Sequence, residues 1–118
     1  MPSEYHEEHL SDTVKDEHRA LVSLQEELEA VDWYNQRADV ATNDELKAIL
    51  IHNRNEEIEH AAMLLEWLRR HQSDFDEKLD AYLFKELPIT ELEEAQESGG
   101  AVGAGDGSLG IGSDKQQQ

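Results

Sequence analysis

The chain has 118 residues, with 28 Asp+Glu against 10 Lys+Arg and a formal net charge of -18. That is the size of one small domain, and the charge disfavours nucleic acid and anionic membrane surfaces as partners. No cysteine is present, so disulfides, thiolate metal sites and cysteine nucleophiles are excluded, which leaves carboxylates and the 6 His as candidate metal ligands.

All 7 Gly lie between Gly99 and Gly112, and no proline falls between Pro2 and Pro88. The body therefore lacks the punctuation of hairpins and sheets and reads as all-α. No apolar run approaches the roughly 20 residues of a bilayer span, and Met1-Pro2-Ser3-Glu4 lacks the basic-then-apolar layout of a signal peptide, so the expected location is the cytoplasm.

At the N-terminus His6 and His9 stand among Glu4, Glu7 and Glu8, a minor candidate for metal binding near a chain end. From Ser11 to about Asp39, residues Val14, Leu21, Leu24, Leu28, Val31 and Ala38 recur at helical spacing behind Ser11, Asp12 and Thr13 as cap candidates. Such a helix would be about 40 Å long. Thr42-Asn43-Asp44 supplies a turn and a cap. A second helix then carries Leu46, Ile49, Leu50, Asn53, Glu57, His60, Leu64, Trp67 and Leu68 on one stripe to about His71. The short loop makes the pair an antiparallel hairpin.

Ser73-Asp74 caps a shorter helix with Phe75, Leu79, Tyr82 and Leu83, and Thr90-x-x-Glu93 after Pro88 reads as a capping box for one or two more turns. Residues 1–97 thus form a helical domain. Residues 98–118 form a Gly-rich tail with too little apolar surface to fold alone. Two helices packed only on each other leave much of their stripes wet, so a dimer giving a four-helix bundle is the economical closure.

Three polar residues break the apolar register. Glu27 lies between Leu24 and Val31 on the first helix, and Glu57-x-x-His60 puts a carboxylate and an imidazole one turn apart on the second. A metal ion would offset the desolvation of these groups, and oxygen donors with one imidazole suit iron, manganese or zinc. This is half the ligand set of ferritin-like di-iron bundles, so a two-fold dimer axis would supply the second Glu27, Glu57 and His60. The competing reading pairs Glu57 with Arg54 on a solvated face. Asn53 reads equally as a buried register-setting residue or as a support for the ligands. Glu26, Glu29, Trp33 and Tyr34 flank Glu27 as a solvated acidic face or as a cation-attracting mouth, and His18, His52 and His71 read as surface or core-edge residues.

The run from His18-Arg19-Ala20 through Glu26-Glu27-Leu28-Glu29-Ala30-Val31-Asp32-Trp33-Tyr34, then His52 to Met63 and Leu65 to Arg70, resembles the encapsulated ferritins. The resemblance extends to Tyr82-Leu83-Phe84, Pro88-Ile89 and the tail's Gly107 to Ser113. It implies that Glu27, Glu57 and His60 are ferroxidase ligands completed across a dimer, with two irons per interface, and that other divalent ions such as Ca, Mn or Zn can occupy the sites. It further implies that Glu26, Glu29 and Trp33 form an outer site where metal enters and that Tyr34 sits near the iron. Family members assemble as a ring of dimers, a decamer, and oxidise Fe(II) to Fe(III) inside an encapsulin shell that stores the mineral. The tail resembles the peptide that docks cargo on that shell, with Leu109 and Ile111 as apolar anchors. One departure is Asp114, which follows Ser113 where the family often continues Gly-Ser-Leu. The alternative from another class is a non-catalytic metal-binding scaffold or cargo adaptor.

Overall fold

The computed structural model describes residues 4–98. Four helices follow in order, α1 Asp12–Val40, α2 Asp44–His71, α3 Ser73–Tyr82 and α4 Ile89–Glu97, with no strand among the described residues. The all-α reading holds. The Gly-rich tail, with Leu109 and Ile111, lies outside the described residues. The chain divides into two compact units, one up to Ser73 and one from Asp74 onward.

In the first unit, α1 starts directly behind Ser11, whose Oγ accepts from the Val14 N–H at 3.1 Å. It ends where Ala41 turns extended (φ -67, ψ 131) while its N–H still reaches the Arg37 carbonyl. Asn43 then caps α2, its Oδ1 accepting from the Leu46 N–H at 2.9 Å. Only residues 41–43 join the helices, which forces the antiparallel hairpin. Asp44 and Glu45 in the first turn of α2, and Arg69, Arg70 and His71 in its last, complement the helix dipole. Near that end Glu66 receives Arg69 Nε at 2.8 Å and Arg70 Nε at 2.6 Å. These hydrogen bonds hold its carboxyl at about 2.

The hairpin encloses few large side chains. Ala20 and Ala38 of α1 and Ala61 and Leu68 of α2 are its buried positions. Val14, Leu21 and Leu28, seven residues apart in turn, stay 42%, 38% and 54% exposed, and Ile49 and Ile58 of α2 stay 52% and 48% exposed. Each helix can hide only a narrow face against one partner, so part of the stripe marked by periodicity stands open to solvent in the single chain.

α3 begins at Ser73 itself, the last residue of the first unit, and in the second unit half-buries Phe75, Leu79 and Tyr82. Its end is marked by Phe84, left-handed at φ 59 and fully exposed. The capping box expected at Thr90 does not form. Pro88 takes the cap position (φ -56, ψ 144) without a side-chain cap bond, and its carbonyl accepts from Glu91 at 3.0 Å and Leu92 at 3.1 Å. The fixed proline φ lets the helix begin directly behind it, so Thr90 lies inside the first turn. Leu92 is the buried residue of α4, 2% exposed.

Candidate metal centre

Glu57 and His60 share one face of α2 because three residues make nearly one helical turn, and the hairpin register brings Glu27 of α1 against them. His60 Nδ1 lies 2.9 Å from Glu57 Oε1 and 3.4 Å from Glu27 Oε1. One ligand atom from each of the three residues falls within 4.8 Å of the others, the one such group of His, Asp and Glu among the described residues. The side chains are 26% (Glu27), 25% (Glu57) and 47% (His60) exposed, so the group is neither sealed in the hairpin nor spread on open surface.

The electrostatics record the crowding. The hydrogen bond with Glu57, followed by desolvation and the Glu57 charge, raises the Glu27 pKa above its ordinary value. For His60, desolvation works against protonation, yet the hydrogen bond to Glu57 and the charges of Glu27 and Glu57 prevail and raise its pKa. Glu27 and His60 therefore hold protons more firmly than such groups do alone, and a cation would compete with those protons for the same atoms. Two carboxylates and an imidazole form a donor set for Fe(II), Mn(II) or Zn(II), with three donors per chain leaving coordination positions open to further ligands.

The competing pairing of Glu57 with Arg54 is not what the structure shows. Arg54 Nη1 donates across the hairpin to Asn35 Oδ1 at 3.0 Å, while Nε and Nη2 donate to Asn55 Oδ1 at 3.3 and 3.1 Å. Nothing in the sequence singled out Asn35, because its link to Arg54 depends on the register of the two helices. Asn53 is half-buried on α2.

The outer residues form a looser set. Glu26, Glu29 and Trp33 are exposed on α1, and Glu26 and Glu29 belong to no three-ligand group among the described residues. The Arg37 guanidinium lies 5.5 Å from the ring centroids of both Trp33 and Tyr34, a cation–π contact invisible to the stripe analysis. Among the described residues the N-terminal histidines belong to no three-ligand group. His9 (φ 64) is 93% exposed in its side chain and lies 3.8 Å from Glu8. His18 is half-buried with its ring edge-on to Tyr5, and His52 and His71 are exposed, the latter stacked on Trp67 with centroids 4.2 Å apart.

The family model for EncFtn-like proteins matches residues 3–86. The chain belongs to the EncFtn-like family. Its relatives agree with this membership. An encapsulated ferritin-like protein of Rhodospirillum rubrum is 56% identical over 113 residues, covering 88% of this chain and 81% of the relative. A ferritin-like protein of Thermotoga maritima is 53% identical over 113 residues, covering 94% of this chain and 97% of the relative. The crystal structure of a Nitrosomonas europaea protein superposes with a TM-score of 0.69 at 60% identity, covering 72% of this chain and 96% of that one. The resemblance to the encapsulated ferritins is thus upheld. No described helix is long and apolar enough to cross a membrane.

Proposed function

We propose that this EncFtn-like chain is a ferroxidase, and that Glu27, Glu57 and His60 bind Fe(II) as substrate at a centre completed by the same residues of a second copy. The observation that carries the reading is the meeting of these residues from two helices within 4.8 Å, in a chain whose family is ferritin-like. Two copies would supply six donor residues around a pair of irons, and carboxylates that bridge would count toward both ions. Leu28 beside Glu27 and Ile58 beside Glu57 are exposed apolar neighbours suited to a partner's matching face.

In this reading each Fe(II) gives one electron to dioxygen or peroxide. The carboxylates hold the ion as its charge rises, and the surrounding acidic residues raise the local Fe(II) concentration. Glu26, Glu29 and Trp33 would receive incoming metal, with Tyr34 near the centre. Without a cage of its own the protein would pass Fe(III) to an encapsulin shell, reached through Leu109 and Ile111 of the tail, and would work inside that compartment. The name of the Rhodospirillum rubrum relative supports the encapsulated setting.

The test is aerobic oxidation of Fe(II) followed by absorbance. Metal-free wild type should accelerate it well above a protein-free control, and Glu57→Ala and His60→Ala should each fall to the control rate. Wild-type rates in these variants would remove the site assignment. Metal binding without acceleration would leave a non-catalytic scaffold, the reading favoured by a donor set that also suits redox-inert Zn(II).

A further inference from the structure

The pairing of Arg54 is unusual for this molecule. In a chain with 28 acidic residues, the other arginines whose side-chain contacts are described meet carboxylates or π faces. Arg19 meets Asp16 at 2.7 Å, Arg69 and Arg70 share Glu66, and Arg37 lies over Trp33 and Tyr34. Arg54 instead spends its donors on two neutral amides, Asn35 at 3.0 Å and Asn55 at 3.1 and 3.3 Å. Yet a carboxylate, Glu57, stands one turn ahead, at the spacing where a guanidinium reaches a carboxylate on a helix surface. Arg19–Asp16 and Arg69–Glu66 use the same three-residue separation with the carboxylate on the N-terminal side, the opposite order to Arg54 and Glu57.

We propose that Asn35 and Asn55 are positioning residues that hold the Arg54 guanidinium away from Glu57 and so keep the Glu27–Glu57–His60 group open to a divalent cation. An arginine paired with Glu57 would occupy the oxygens a metal needs and place a fixed positive charge beside the incoming ion. Amide oxygens satisfy the guanidinium without bringing it to a carboxylate. Because Asn35 reaches across from α1, it fixes which way Arg54 points, something a residue on α2 alone would not do. The inference rests on the reading of the three residues as a metal site and adds the group that guards it.

The experiment is calorimetric titration of metal-free protein with Zn(II), a redox-inert probe, at one protein concentration. The arms are wild type, the release variant Asn35→Ala/Asn55→Ala, the same variant with Arg54→Gln added, and Arg54→Gln alone. The release variant should bind Zn(II) about twofold more weakly, the weight of one ion pair on a helix surface. Adding Arg54→Gln should restore wild-type affinity, and Arg54→Gln alone should bind at least as tightly as wild type.

A cross-link that merely holds the helices together predicts the reverse for the last arm, since Arg54→Gln cuts the same hydrogen bonds. Weakening by Arg54→Gln equal to that of the release variant overturns the proposal, as does a release variant with wild-type affinity or a triple variant that stays weak. No Zn(II) uptake by wild type would remove the metal reading and the proposal together, a result visible in the first titration and distinct from the others.

Discussion

His60 Nδ1 lies within 3.4 Å of both carboxylates, and both His60 and Glu27 hold protons above their ordinary pKa values. A raised folded pKa means that the folded metal-free chain binds protons more tightly than the unfolded one. Its contribution to stability is therefore fully present below the unfolded value and fades as pH rises through the folded one. For Glu27 that window opens at 4.5 and for His60 at 6.5. Glu66 acts oppositely, its contribution fading as pH falls from 4.5 toward about 2. A metal bound at this group would displace the protons on Glu27 and His60, so Zn(II) affinity should climb through their windows while metal-free stability declines. Titration at about pH 6 in two buffers of different ionisation enthalpy should register proton release, diminished in His60→Gln. Absence of release would sink the proposed binding through His60.

The three residues that meet here stood out in the sequence because Glu27, Glu57 and His60 interrupt apolar stripes. The company they keep was not. Asn35 and Arg54 are far apart in sequence and ordinary in type, and Arg37 over two rings depends on rotamers that periodicity does not encode.

Along the elements, caps written as single side chains were readable and caps written in backbone were not. Ser11 and Asn43 bond the N–H groups of Val14 and Leu46, so the starts of α1 and α2 fall within the capping clusters Ser11-Asp12-Thr13 and Thr42-Asn43-Asp44 that residue type marks. Thr90 also has a capping residue's chemistry, but the Pro88 carbonyl closes the first turn of α4 before Thr90 can act. Ser11→Ala and Asn43→Ala should each lower stability by about 1 kcal/mol, with Ser11→Gly losing only a few tenths. Thr90→Ala should be near neutral. Urea unfolding followed by circular dichroism measures all four, and a Thr90→Ala loss equal to that of Ser11→Ala would restore the capping box. Asn43→Ala has a second readout, because loosening the start of α2 disturbs the register that brings Glu27 to Glu57 and so should weaken Zn(II) binding where Ser11→Ala does not.

At the scale of the whole molecule, an open apolar face and a three-donor group occur along the same hairpin. Leu28 and Ile58, next in sequence to Glu27 and Glu57, remain 54% and 48% exposed, and the proposed ligands would offer a cation only part of a coordination shell. A second copy placed by a two-fold axis would cover the apolar residues and complete the ligands at once. Without a cation the same approach brings four carboxyl groups together, and their repulsion or protonation opposes the apolar gain. The net charge of -18 adds a general repulsion between copies. Association should therefore depend on metal, and the dependence should pass through the ligands themselves. Light scattering at fixed protein concentration should give a low mass in chelator and at least twice that mass after Zn(II) or anaerobic Fe(II). Glu57→Ala should stay at the low mass in both conditions, while Leu28→Ser should need more metal to reach the higher one because it removes the apolar part of the driving force. High salt separates the two electrostatic effects, since it screens the diffuse repulsion between chains more than the contacts at the ligands. If salt alone raised the mass in chelator to the metal-bound value, net charge and not the Glu27–Glu57–His60 group would be what keeps the copies apart.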